Sequence, residues 1–177
     1  MGDAVITTER LTIRPFAEAD LADLTALIRD KMAAWYAPYD TQWPTDDASM
    51  AQALAYLMGE PPWSWSAVAL NATGRVIGFV CAGLTDGGAA RELGYTIRSD
   101  QQNRGYACEA CRAVMAHCAE VLGTRRFVAG TADCNLPSVK LLHKLGFVKV
   151  ESLEAAFAND AEGNPIAFPA GRYERII

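Results

Sequence analysis

Two apolar spacings take turns along this chain, and each change of spacing marks a change of predicted element. Between Arg10 and Phe16 polar and apolar positions alternate, with Leu11 and Ile13 on one side and Pro15 closing the run, which predicts a strand near a sheet edge. From Glu18 to Arg29 the spacing becomes helical, and Leu21, Leu24, Leu27 and Ile28 fall on one stripe. Lys31 to Pro44 keeps neither period; it carries Trp35, Tyr36, Tyr39 and Trp43, interrupted by Pro38 and Pro44. Thr45-Asp46-Asp47 supplies capping oxygens for a second helix, Ala48 to Met58, which Gly59 and Pro61-Pro62 end. Ser64 to Leu70 and Val76 to Leu84 read as a hairpin joined by Asn71-Ala72-Thr73-Gly74, and Asp86-Gly87-Gly88 then leads to a third antiparallel strand from Arg91.

In the second half the two periods alternate element by element. Glu92 to Ile97 places Leu93, Tyr95 and Ile97 on one face of a strand, Ala107 to Leu122 reads as a helix, and Arg126 to Thr131 as a strand. Asn135-Leu136-Pro137-Ser138 opens a further helix that ends at Leu145-Gly146-Phe147, since Pro suits the first turn and Gly the last. Val148 to Phe157 and Ile166 to Ile177 close the chain as strands on either side of Asn159 to Asn164. The expected fold class is mixed α/β, with one central, mostly antiparallel sheet of about seven strands and helices on both faces, in a single domain spanning 1–177.

The chemistry concentrates between the strand at Glu92 and the helix at Ala107. The junction Gln102-Asn103-Arg104-Gly105-Tyr106-Ala107 is a Gly-containing loop entering a helix, so unpaired backbone N–H groups and the positive helix end face whatever sits in the loop. An anion belongs there, most naturally a phosphate. Neither a Walker loop nor a three-glycine dinucleotide fingerprint is present; the pattern is Gln-x-x-Gly-x-Ala, with Gly105 permitting close backbone approach. The backbone of Arg104, Gly105, Tyr106 and Ala107 is the expected cradle, with Gln102 and Asn103 shaping the turn.

Strand, Gln-x-x-Gly-x-Ala, helix, strand, Asn-x-x-Ser, helix and Leu-Gly-Phe, in that order, resembles the acetyl-CoA-dependent N-acetyltransferases of the GNAT superfamily. The opening Thr8-Glu9-Arg10-Leu11-Thr12-Ile13-Arg14-Pro15-Phe16 with the acidic helix after it is similar to the RimJ/RimL branch. The resemblance implies a sheet that splays between its fourth and fifth strands, leaving backbone groups of Tyr95, Thr96 and Ile97 free to pair with the pantetheine arm of acetyl-CoA. It also implies Asn135 as a cofactor contact and Ser138 as general acid toward the sulfur, although both positions equally suit helix capping. Tyr106 and Tyr173 are further candidate hydroxyls. Glu92, at the start of the central strand, is the leading general base; a strand-end surface charge is its plain alternative. Where RimL-like enzymes can carry a carboxylate on the strand after Leu-Gly-Phe, this chain has Phe157, with Glu151 and Glu154 upstream. By the same resemblance, the aromatic run from Trp35 to Trp43 walls the acceptor pocket; otherwise it covers the sheet.

Charge and cysteine content narrow the partners. A net charge of −5 without a concentrated basic face argues against nucleic-acid binding, and no apolar run is long enough to span a membrane. Met1-Gly2-Asp3-Ala4-Val5 lacks the basic and apolar regions of a secretory leader, and five cysteines is an odd number, so reduced thiols in a cytoplasm are expected. Cys108, Cys111 and Cys118 read as small hydrophobes on one helix rather than metal ligands, and no metal is expected. A covalent route through Cys134 would need His117 or His143 beside it. The resemblance implies as partners acetyl-CoA and a primary amine, either a protein N-terminus or a small molecule, in direct transfer. The resemblance adds a possible homodimer through the strand Arg172 to Ile177. A non-catalytic acyl-CoA-binding sensor is the alternative.

Overall fold

Eight strands lie in one sheet in the order β1-β2-β3-β4-β5-β6-β8-β7 in the computed structural model, which describes residues 5–61 and 63–177. They are β1 (Ile6–Thr7), β2 (Leu11–Arg14), β3 (Ser66–Leu70), β4 (Val76–Thr85), β5 (Ala90–Ile97), β6 (Arg126–Ala132), β7 (Val148–Asn159) and β8 (Pro165–Ile176). Four α-helices accompany them: α1 (Leu21–Ala33), α2 (Asp47–Gly59), α3 (Tyr106–Val121) and α4 (Leu136–Lys144). The strand beyond the expected seven is β1, whose two residues are too few to show a period. The residues read for a leader and Pro62, expected to help end α2, fall partly or wholly outside the described residues.

Each face of the sheet carries its own helices. Leu24, Leu27 and Ile28 of α1 and Met50, Leu54 and Leu57 of α2 pack with Ala67, Ala69, Val76 and Phe79 on one face. On the other, Cys108, Cys111, Val114, Met115 and Cys118 of α3 and Leu142 of α4 pack with Val68, Val80, Leu93 and Phe127. The three α3 cysteines are thus core side chains. All strand pairs are antiparallel except β5 with β6. Gly78 lets β4 close on β5, for a Cβ there would stand 2.2 Å from the Thr96 carbonyl oxygen.

Two polar features depart from the periodic reading. The helix expected to start at Glu18 begins with a 3-10 turn, Glu18–Asp20, because Asp20 turns its carboxylate back onto the Ala17 N–H at 2.9 Å and onto Arg14 at 2.7 and 2.8 Å. The same helix runs on past Arg29, with Lys31 buried and its ammonium on Asp40 and the Thr41 carbonyl, each at 3.0 Å. The strand expected to pair across a two-fold, Arg172 to Ile177, lies inside the sheet, its edges taken by β6 and β7.

Burial pushes the Asp20 carboxyl up, but the Arg14 guanidinium and the Ala17 amide outweigh it and hold it below the usual carboxylate range. A depressed folded value means stability that is complete above the ordinary carboxylate pKa and is lost as pH falls through the folded one. Asp20→Asn is therefore expected to cost about 1–2 kcal/mol in urea unfolding at neutral pH, with the gap to wild type narrowing toward about pH 3. An equal gap at both pH values would show that the ion pair does not supply the difference.

Candidate functional site

Strands β5 and β6 pair at Arg91↔Phe127 and Glu92↔Val128 and then part. The facing edges of Leu93 to Ile97 and of Ala129 to Ala132 diverge with no ladder between them, while β4 continues to hold the far edge of β5 as far as Ile97. This is the expected splay, between the strands that rank fourth and fifth once β1 is set aside. Tyr95, Thr96 and Ile97 sit on the open edge of β5.

The open edge leads into the glycine loop. Gln102 donates from Nε2 to the Ile97 carbonyl at 2.8 Å, tying the loop to the strand end, and Asn103 and Gly105 take positive φ of 59° and 85°. Gly105 is the N-cap of α3 and, lacking a side chain, leaves the amides of the first turn without a side-chain acceptor. Arg10, which the sequence reading treated only as the start of a strand, braces this loop. It donates to the Arg104 carbonyl at 2.9 Å, stacks over Tyr106 at 4.6 Å, and pairs with Glu109 at 2.6 Å. Glu109 also accepts from Thr8 and the Arg10 amide. Burial pushes this carboxyl up, but those partners outweigh it and keep it low, so its charge is matched from behind the loop. The period that placed Arg10 on a strand carries no hint of this contact, which spans 99 residues.

Strand parity sorts the other candidates by face. Leu93, Tyr95 and Ile97 pack with the α3 and α4 cluster, so Glu92, Gly94 and Thr96 project to the opposite face. On the α4 side the Tyr95 hydroxyl lies 2.9 Å from Ser138 Oγ, and burial pushes the phenol well above its usual range. The expected role of Tyr95 rests on its backbone alone, and the hydroxyl contact adds a second. Asn135 Oδ1 accepts from the Ser138 N–H at 3.4 Å, so the cap on α4 belongs to Asn135 and leaves the Ser138 hydroxyl to Tyr95. On the other face Glu92 is exposed and makes no ion pair with a described residue. Its partner across β4 is Gly83, and two pairs along the same face Cys81 stands opposite Gly94. Burial pushes the Cys81 thiol up to about 12, so it stays protonated.

Glu92, Tyr95, Thr96, Ile97, Asn135 and Ser138 line one cleft of about 1360 Å³ that passes through the splay, as do Gln102, Asn103 and Gly105 of the loop, whereas Arg10, Arg104 and Glu109 lie outside its lining. Of the aromatic segment, Trp35, Tyr36 and Tyr39 reach the cleft, whereas Trp43 packs on Trp65 at 5.6 Å and on Phe79 at 5.8 Å, so the segment divides between pocket wall and core cover. Tyr106 lines the cleft. Tyr173 does not: it is buried in the α3 and α4 core against His143, which removes it as a candidate hydroxyl. Cys134 is exposed, His143 faces Tyr173, and His117 stacks on Trp63 at 4.4 Å, so neither histidine serves a cysteine nucleophile. Among the described residues no group of three or more His, Cys, Asp or Glu side chains is placed to hold a metal ion, and no helix is long and apolar enough to cross a membrane.

The family model for the acetyltransferase (GNAT) domain matches residues 10–148. An uncharacterised N-acetyltransferase of Bacillus subtilis, YnaD, is 26% identical over 141 residues, 80% of this chain and 81% of its own. A crystal structure of a GNAT-family acetyltransferase from Bacillus anthracis superposes with a TM-score of 0.81 at 21% identity, over 97% of this chain and 98% of that one. RimL, a ribosomal L7/L12 alpha-N-protein acetyltransferase solved in its apo form, does so with a TM-score of 0.80 at 20% identity, over 98% and 94%.

Proposed function

The chain belongs to the GNAT acetyltransferase family, and we propose that it moves the acetyl group of acetyl-CoA to a primary amine by direct attack in a ternary complex, in the manner of the RimJ/RimL-like branch. The observation that carries this reading is the parting of β5 from β6 onto the uncapped first turn of α3. The residues present fit a CoA thioester: a flat edge of free amides and carbonyls suits the amide-bearing arm, and a brace-backed turn of bare N–H groups suits the diphosphate. When bound, that carrier supplies an activated acyl carbon, so alignment provides much of the rate.

In this reading Glu92 takes a proton from the ammonium, directly or through water, leaving the amine nitrogen free to attack the carbonyl carbon. The N–C bond forms and the C–S bond breaks while Ser138 with Tyr95 donates a hydrogen bond to the departing sulfur; the second proton, which the acylated nitrogen sheds to become an amide, balances the one the thiolate takes up to end as the thiol. The parity of β5 supports the division of labour, since it sets Glu92 and Tyr95 on opposite faces of one strand with the splay between them. The acceptor is a primary amine, on a peptide N-terminus or a small molecule. The five cysteines are all free thiols, which suits work in a reducing cytoplasm.

Calorimetry with acetyl-CoA followed by thiol release against a panel of amines tests the reading. Micromolar binding and amine-dependent release are expected. Binding with no release from any amine would instead make the chain an acyl-CoA sensor.

A further inference from the structure

The head of α3 carries an acid close to the point where an anion is to bind. Glu109 lies in the first turn of that helix, and its carboxylate shares the positive helix end with whatever the loop receives. Left bare, it would repel a diphosphate. It is instead fully matched: Oε2 accepts from Arg10 Nε at 2.7 Å and pairs with Nη2 at 2.6 Å, while Oε1 accepts from the Thr8 hydroxyl at 2.6 Å and the Arg10 amide at 3.1 Å.

Arg10 stands between this carboxylate and the loop. Its Nη2 is 3.4 Å from the position that a Gly105 Cβ would occupy. Gly105 borders both the main cleft and a smaller hollow of about 560 Å³, and Arg10 and Glu109 line only the hollow, so the guanidinium acts from behind the loop. Arg10 Nη1 donates to the Arg104 carbonyl at 2.9 Å. A trans peptide sets its C=O and N–H on opposite sides, so a carbonyl held back toward Arg10 turns the Gly105 N–H forward, toward the cleft. The Tyr106 ring, 4.6 Å from the guanidinium carbon, covers one face of the side chain. With Nε, Nη1 and Nη2 all engaged and the cleft on the far side of Gly105, Arg10 is placed to work through its neighbours and not as a phosphate ligand.

Resting on the transferase reading, we propose that Arg10 is a positioning residue for the acetyl-CoA diphosphate: it cancels the Glu109 charge at the head of α3 and aims the Gly105 N–H, without touching the cofactor. Glu109 in turn fixes a long side chain that is 41% exposed, so the two residues form one unit with no net charge.

The test is acetyl-CoA affinity by calorimetry on the full chain, with wild type beside Arg10→Met, Arg10→Lys and Arg10→Met/Glu109→Gln, each checked by thermal melting. Arg10→Met keeps an apolar stem over Tyr106 and loses both actions. It is expected to weaken binding about ten-fold, by a margin that narrows as salt rises from about 0.05 to about 0.3 M. Arg10→Lys restores the charge without the planar fork, and the double variant removes the charge that needed cancelling; each should bind about three-fold more weakly than wild type. Arg10→Met at wild-type affinity would overturn the proposal. Arg10→Lys and the double variant both binding no better than Arg10→Met would overturn it too, since the brace would then act without charge. Should Arg10→Met fail to fold, wild-type affinity in the other two variants is the overturning result. A wild type that binds no acetyl-CoA sinks the transferase reading itself, whereas a tight wild type matched by all its variants sinks the role of Arg10 alone.

Discussion

Gly105→Glu is expected to leave the chain folded and to weaken acetyl-CoA binding by at least about 100-fold, roughly 2.7 kcal/mol. Two effects combine. Gly105 sits at φ 85°, where any L residue is strained by about 1 kcal/mol, and it caps α3 where the diphosphate is proposed to rest. A carboxylate at that point offers the helix an anion of its own and repels the ligand's, an interaction of several kcal/mol at the effective dielectric of a protein surface. The loop is exposed, so the melting temperature should move by only a few degrees. Gly105→Ala is the control: its Cβ would meet only Arg10 Nη2, at an ordinary 3.4 Å, so the strain acts alone and affinity should fall by no more than about ten-fold. Calorimetry on both variants, with thermal melts, separates charge from strain. A folded Gly105→Glu that binds as tightly as wild type would place the diphosphate elsewhere.

What the sequence could disclose was what local spacing encodes. The loop from Gln102 to Ala107 is legible because one short stretch holds strand end, glycine and helix start, and each needs only its neighbours to form. The same holds for Asn135, whose side chain caps the helix it precedes. Contacts between distant stretches left no local trace. Arg10 reaches Glu109 and Arg104 across more than half of the chain, and Lys31, which opens the stretch without a period, lies inside α1 with its ammonium buried on Asp40 and Thr41. Tyr173 was a reasonable hydroxyl by residue type alone; parity on β8 decides against it, and that parity is fixed only once β6 and β7 have set the register. The order in which β8 inserts between β6 and β7 likewise moved the free edge of the sheet from the C-terminal strand to β7.

Ser138→Ala and Tyr95→Phe are each expected to lower kcat by about 10- to 100-fold, and the double variant by little more than the worse of the two. The two oxygens are 2.9 Å apart, so one hydroxyl can donate to the other and a single hydrogen remains to meet the sulfur. Burial holds the Tyr95 phenol protonated far above neutral pH, which keeps that hydrogen in place throughout the working range. Because both hydroxyls are weaker acids than an ordinary thiol of pKa about 8.5, their work is to stabilise the forming thiolate, as oxyanion donors do, rather than to hand over a proton before the C–S bond breaks. Removing either oxygen breaks the relay, so the second removal has little left to take, and the interaction energy from the cycle should be large. The plain alternative is that Ser138 merely serves the helix. Asn135 already accepts the Ser138 N–H, so α4 should keep its start in Ser138→Ala and the melting temperature should stay within a few degrees. A kcat that survives both substitutions would leave the hydroxyl pair a structural tie between β5 and α4, and would move the search for the donor to Tyr106, which lines the cleft at the loop itself.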